Sequence, residues 1–86
     1  MKPEYLHLFE MSLHEKLKEK INARIYCAIK FNDELIIEIK KDNIVFNYVA
    51  GSDMSLKILK GLSSDEIVDE VVSAYKRFIL GKYFYM

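Results

Sequence analysis

The sequence predicts an α+β fold: a single domain over 1–86 in the order α-β-β-β-(short α)-α, a three-stranded antiparallel meander with helices packed on one face. Three observations carry this. Apolar residues recur at three- and four-residue spacing from Leu6 to Ile21, the period of an amphipathic helix. From Arg24 to Val49 the pattern changes to alternation, which reads as half-buried strands. Helical spacing then returns between Leu62 and Gly81, with capping signals at both ends. A chain of 86 residues makes one domain. One this short buries only about 60–65% of its unfolded surface, so its core must be efficient.

Pro3 suits the first turn of a helix, and the helical pattern runs to about Asn22. Leu6, Phe9, Leu13, Leu17 and Ile21 form its apolar stripe, while Glu15, Lys16, Lys18, Glu19 and Lys20 make a solvated side. Leu8 and Met11 fall off the stripe. His7, Glu10 and His14 share one edge of this helix and invite a metal reading. The two histidines, however, are seven residues apart, about 10 Å along the axis, too far for one zinc ion with ligands near 2 Å. A Glu10–His14 contact at i,i+4 is the simpler expectation.

In the alternating stretch, Ile25, Cys27, Ile29, Phe31, Leu35, Ile37, Ile39, Ile44, Phe46 and Tyr48 share one parity across two turns. A three-residue loop Asn32-Asp33-Glu34 opposes Phe31 to Leu35, Ile29 to Ile37 and Cys27 to Ile39. A two-residue loop Asp42-Asn43 of type I′ opposes Ile39 to Phe46 and Ile37 to Tyr48. All ten apolar residues then fall on one face, since directly opposed residues share a face. The other face carries Arg24, Tyr26, Lys30, Ile36, Glu38, Lys40, Val45, Asn47 and Val49.

Between Ala50 and Leu62, Asp53 is placed to cap a short helix over Met54–Lys60 ended by Gly61; alternation of Met54, Leu56 and Ile58 also allows an edge strand. In the last helix Ser63 and Glu66 have the spacing of a capping box, and Leu62 and Ile67 that of a hydrophobic staple. Gly81 sits where a helix would close. Ile67, Val71, Ala74, Tyr75 and Phe78 form a stripe that Val68, Val72 and Ile79 widen, so this helix is expected to pack on the sheet and on a second helix. Asp65, Glu66, Asp69 and Glu70 lie on its other side with no Lys or Arg within a turn until Lys76 and Arg77. Asp65 and Glu66 suit the positive end of the helix dipole. The rest make a patch suited to a basic surface. The tail Lys-Tyr-Phe-Tyr-Met is apolar enough to pack on the domain or supply a dimer contact.

Several function classes are disfavoured. Cys27 is the only cysteine, which excludes an internal disulfide and a Cys-based metal cluster; it is expected to be a buried, inert thiol. With three glycines there is no phosphate-cradling loop. No acid, base or nucleophile set stands out, so the expectation is a non-enzyme without cofactor or metal. Formal net charge is zero, and arginines number only two against eleven lysines, weak equipment for reading bases or phosphates. No apolar run approaches the ~20 residues of a membrane span, and the N-terminus lacks signal-peptide order. A cytoplasmic protein is expected.

The order of elements matches that of double-stranded RNA-binding domains, whose second helix opens with basic residues; here that place holds Asp65-Glu66, the wrong sign for a polyanion. A nucleic-acid-binding module using Arg24, Lys30 and Lys40 is therefore the second-ranked expectation. Leu35-Ile36-Ile37-x-Ile39-x-x-Asp42, followed by Ile67-Val68 and Ser73-Ala74-Tyr75-Lys76, resembles the sheet and second helix of small prophage-encoded anti-CRISPR proteins that inhibit type II-A RNA-guided nucleases. The resemblance covers Leu35 to about Phe78, interrupted by Ser52–Gly61. It implies an acidic surface that stands in for DNA at the nuclease's motif reader, with Asp42 matching the family's turn acid. Asp33, Asp42, Asp65, Glu66, Asp69 and Glu70 are accordingly the expected partner-binding residues. Carboxylates can satisfy the bidentate arginine forks that read guanine edges. The expected partner is a host protein with a basic surface in the bacterial cytoplasm, engaged by a monomer or homodimer.

Overall fold

The computed structural model describes residues 2–50 and 53–84, with 82–84 described by backbone alone. In chain order the elements are α1 (Glu4–Lys20), β1 (Arg24–Ile29), β2 (Leu35–Lys41), β3 (Ile44–Ala50), α2 (Met54–Leu59) and α3 (Ser64–Phe84). The strands form one antiparallel sheet in the order β1-β2-β3. α1 and α3 contact each other and share the same face of the sheet, α1 against β1 and α3 against β3. The expected α+β architecture is therefore the observed one.

Parity decides the core. Leu13 and Leu17 of α1, Ile29 of β1, Leu35, Ile37 and Ile39 of β2, Met54 of α2 and Val71 of α3 are the fully buried side chains. They form one layer between the sheet and the two long helices. Burying a Leu, Ile or Val side chain contributes about 1.5–3 kcal/mol, so this layer is the main source of stability. Every residue of the α1 stripe, from Leu6 to Ile21, is buried, and Leu8 and Met11 are exposed.

The second hairpin has the expected register, with Ile39 opposite Phe46 and Ile37 opposite Tyr48. Its turn differs in detail: Asp42 has φ 56° and Asn43 is not among the positive-φ residues, so both central residues are not left-handed as type I′ requires. The first hairpin is shifted by two: Ile29 faces Leu35, Cys27 faces Ile37 and Ile25 faces Ile39. Its loop has the expected length but lies one residue earlier. Lys30 N–H bonds the Glu34 carbonyl at 2.8 Å, Asp33 N–H bonds the Lys30 carbonyl at 2.9 Å, and Asp33 has φ 69°. This is a three-residue hairpin loop closed by a left-handed residue. A short Asp tolerates that conformation better than Glu34 would. Phe31 is thus a loop residue, 96% exposed, and not a tenth member of the apolar face. A shift of two keeps every other side chain on its expected face.

Glu10 ties α1 to the sheet. Its Oε2 accepts the Ile29 N–H at 2.6 Å and the Lys2 ammonium at 2.6 Å, and His7 Nδ1 lies 3.5 Å from Oε1. The side-chain contact of Glu10 on its own helix is with His7, at i,i+3, and not with His14. Among the described residues no group of three or more His, Cys, Asp or Glu could hold a metal ion.

The short helix forms, but its cap comes from elsewhere. Asp53 stands at the N-cap position with φ 71° and makes no side-chain cap bond. Asp33, from the first hairpin loop, takes that role: its carbonyl accepts the Met54 N–H at 3.3 Å, its Oδ2 accepts the Ser55 N–H at 3.1 Å, and the Ser55 hydroxyl donates to its Oδ1. Gly61, with φ 107°, ends α2 as expected. Leu62 N–H bonds the Lys57 carbonyl at 2.9 Å and Gly61 N–H that of Ile58 at 3.1 Å, the paired bonds of a Schellman closure.

In α3 both halves of the capping box are made: Glu66 N–H to Ser63 Oγ at 3.3 Å and Ser63 N–H to Glu66 Oε2 at 3.1 Å. The helix does not close at Gly81 but continues to Phe84. Gly81 is not among the positive-φ residues, and a Cβ there would meet nothing within 4 Å, so no left-handed C-terminal turn is built at it. The expected packing of the aromatic tail falls on side chains outside the described residues.

Asp33→Ala is expected to lower stability by about 1 kcal/mol through loss of a helix cap. Asp33→Asn, which keeps an acceptor and tolerates positive φ, should cost less. Urea unfolding of the two variants separates the effects; equal losses would mean that the cap contributes nothing.

Candidate interaction surface on the last helix

The capping box and the buried stripe determine which way α3 presents its acids. With Ile67, Val68, Val71 and Tyr75 buried, the helical period turns Asp65, Glu66, Asp69 and Glu70 outward, and all four are exposed. They span about 8 Å of helix axis.

Each acid has a different local environment. Asp65 leans toward α1, where Lys16 Nζ lies 2.9 Å from its Oδ1. The same ammonium donates to Ser64 Oγ at 2.8 Å, and Ser12 Oγ lies 2.9 Å from Ser64 Oγ. This clasp joins the start of α3 to the middle of α1. Asp65 is 74% exposed as a side chain, so the pair is worth at most about 1 kcal/mol. Glu66 reaches back to Ser63 in the capping box. Glu70 leans the other way, toward β3, and accepts a hydrogen bond from the Tyr48 hydroxyl. Asp69 is exposed between them and makes no hydrogen bond or ion pair among the described residues. The sequence expectation of no nearby counter-charge is met along the helix but not across it, because Lys16 belongs to another element.

The other two expected site residues lie apart. Asp33 is half-buried and engaged with α2. Asp42 is exposed in the β2–β3 turn. These residues sit off opposite ends of β2, a strand of 7 residues, and therefore more than about 20 Å apart. The four α3 acids share one helix face, whereas Asp33 and Asp42 belong to the two loops of the meander, at opposite ends of the sheet. Lys16, Ser12, Ser64 and Tyr48 are the neighbours that sequence reasoning missed; no local spacing links them to the acids.

Tyr48 is pushed up to about 12, first by burial and then by the Glu70 carboxylate it donates to. Cys27 is half-buried, and burial followed by the charge of Glu10 raises its thiol to about 11. Its Sγ lies 3.4 Å from the Glu10 carbonyl oxygen. Such a thiol is almost wholly protonated at neutral pH and a poor nucleophile.

A second polar region lies at the β1 edge of the sheet, beside the end of α1. Arg24 and Lys40 are cross-strand partners, and with Lys18, Ile25, Glu38 and the exposed ring of Tyr26 they line a hollow of about 390 Å³. Lys30 is exposed near the first turn, away from this group.

The fold and surface define a single α+β domain whose most concentrated feature is a carboxylate ridge on a capped helix. No protein-family model, curated protein or solved structure matches this chain. No helix among the described residues is long and apolar enough to cross a membrane.

The raised Tyr48 pKa has a signed consequence. The folded chain favours the neutral phenol, so this stabilisation is complete below the ordinary value of 10.0 and is lost as pH rises through about 12. Between those values the melting temperature of the wild type should fall more steeply than that of Tyr48→Phe. Parallel curves would show that Tyr48 is not the responsible group.

Proposed function

We propose that this chain is a non-enzymatic binding protein that docks the acidic face of α3 onto a basic surface of a protein partner and inhibits it. The observation that carries the reading is the exposed ridge Asp65, Glu66, Asp69 and Glu70 on one rigid helix. A helix held at its start by a capping box and a clasp to α1 loses little side-chain and backbone freedom on binding, which favours association. Carboxylates so arranged match the guanidinium forks of a DNA-reading or RNA-guided enzyme. The resemblance of Leu35–Phe78 to anti-CRISPR inhibitors makes a type II-A CRISPR nuclease the candidate partner, in the bacterial cytoplasm. Asp42 stands too far from the ridge to share one small contact. It would serve only a partner that wraps the domain.

The test replaces Asp65, Asp69 and Glu70 together by lysine and keeps Glu66, so that the capping box survives. Wild-type protein should suppress DNA cleavage by the guide-loaded nuclease, and the triple variant should lose suppression with its circular dichroism unchanged. Undiminished suppression by the variant would remove the acidic-surface mechanism. Uninhibited cleavage in the presence of wild type would remove the nuclease as partner.

A second reading, nucleic-acid binding, is favoured by one observation: Arg24, Lys40 and Lys18 surround exposed Tyr26, the kind of site on which a single-stranded base can stack. It predicts a gel shift with single-stranded DNA or RNA that weakens steeply with salt and disappears in Arg24→Glu/Lys40→Glu. Absence of any shift at low salt would dismiss it.

A further inference from the structure

An open three-stranded sheet leaves backbone N–H and C=O groups unpaired along both outer strands, and this molecule treats its two edges differently. Along β1 the helix α1 is tied down: Ile29 N–H donates to Glu10, and Cys27 Sγ contacts the Glu10 carbonyl. Along β3 no bond to the outer edge is made among the described residues. The β2–β3 turn is closed by Lys41 opposite Ile44, a hydrogen-bonded pair in a two-residue hairpin. By alternation Ile44, Phe46, Tyr48 and Ala50 spend their backbone groups on β2. Val45, Asn47 and Val49 turn theirs outward. Proteins usually blunt such an edge with charge, proline or a bulge. The 7 residues Ile-Val-Phe-Asn-Tyr-Val-Ala contain neither charge nor proline, and their pairing with β2 is continuous. Val45 and Val49 are 44% and 56% exposed.

We propose that β3 is the surface through which two copies of this chain pair, antiparallel about a two-fold axis at Asn47, into one continuous sheet. In that register the strand is its own complement. Ile44 faces the second copy's Ala50, Val45 faces Val49, Phe46 faces Tyr48, and Asn47 faces itself. The outward residues Val45, Asn47 and Val49 each exchange both backbone bonds. β-Branched pairs directly opposed across a sheet are favourable contacts.

The helix above the edge selects a second copy over another extended segment, through its charges. Glu70 bonds Tyr48, while Tyr75 and Phe78 pack on Phe46 with ring centroids 5.7 and 5.2 Å away. α3 therefore runs antiparallel to β3, and Asn47 lies level with Ser73 and Ala74. The α3 flank beside β3 is the one that carries Glu70, which lines an edge hollow with Tyr48, Val49 and Ala50; the opposite flank meets Lys16 of α1. At about 100° per residue Ala74 and Arg77 share the Glu70 flank. A two-fold at this level sets Glu70 of each copy opposite Arg77 of the other. It also puts the small Ser73 and Ala74 where the helices cross, which permits an approach of about 8–10 Å.

Sedimentation equilibrium over a concentration series tests this with the full chain. Wild type should pass from monomer to dimer. Val45→Lys/Val49→Lys places lysine opposite lysine at both ends and should weaken the dimer about tenfold or more, since directly opposed like charges repel. Val45→Lys/Val49→Glu places opposite charges face to face and should restore association toward wild type. Glu70→Lys and Arg77→Glu should each weaken it, and the double exchange should recover it. Val45 and Val49 lie on the sheet face away from the acidic ridge, so the two edge variants, unlike the exchange at Glu70, a ridge residue, separate loss of the dimer from loss of partner binding. Circular dichroism confirms that each variant folds. A wild type that stays monomeric at its highest soluble concentration, or two edge variants that associate equally, would overturn the proposal.

Discussion

One apolar sheet face must be covered by two helices, and most of this molecule follows from that requirement. Left uncovered, the meander would expose its whole apolar face to water, and burying such surface is the dominant favourable term in folding. α1 and α3 together supply the cover, so neither can move without opening the layer built on Leu13, Leu17, Ile37, Ile39 and Val71. The two helices must also meet each other. The clasp of Ser12, Lys16, Ser64 and Asp65 sets where they meet, and it adds placement more than energy.

The same requirement decides what remains on the surface. Once the wide stripe of α3 is buried, its acids have only the outward side left. The capping box then uses Glu66, the clasp uses Asp65, and Tyr48 uses Glu70. The acidic ridge is thus partly a by-product of holding the helix in place. The docking proposed for it depends on these contacts being exposed and weak. Asp65 keeps most of its surface while paired with Lys16, and Asp69 is not engaged at all among the described residues.

Edges are the other consequence of so small a sheet. With three strands there is one central strand and two outer ones, and among the described residues only β1 has a helix drawn against its backbone. Glu10 does this with a carboxylate that accepts from both Ile29 and Lys2. β3 instead offers an alternating, uncharged strand beside a helix flank carrying charges of both signs. The asymmetry between the two edges is a property of the packing and not of either strand's composition alone.

Periodicity and local chemistry were legible in the chain itself. The α1 stripe, the face of each strand, the second hairpin's register, the Gly61 closure and the Ser63–Glu66 box all depend on residues a few positions apart, where geometry leaves few choices. The same signals misplaced the first loop by one residue, because whether Asp33 or its neighbour turns left-handed was not apparent from their spacing. They also closed α3 at Gly81, although a glycine in helical conformation imposes no stop. What only the tertiary structure decided are the contacts between distant segments: Asp33 capping α2, Glu10 bonding β1, Lys16 reaching Asp65 and Tyr48 reaching Glu70. Those pairings depend on how the helices sit over the sheet, and no spacing along the chain encodes that.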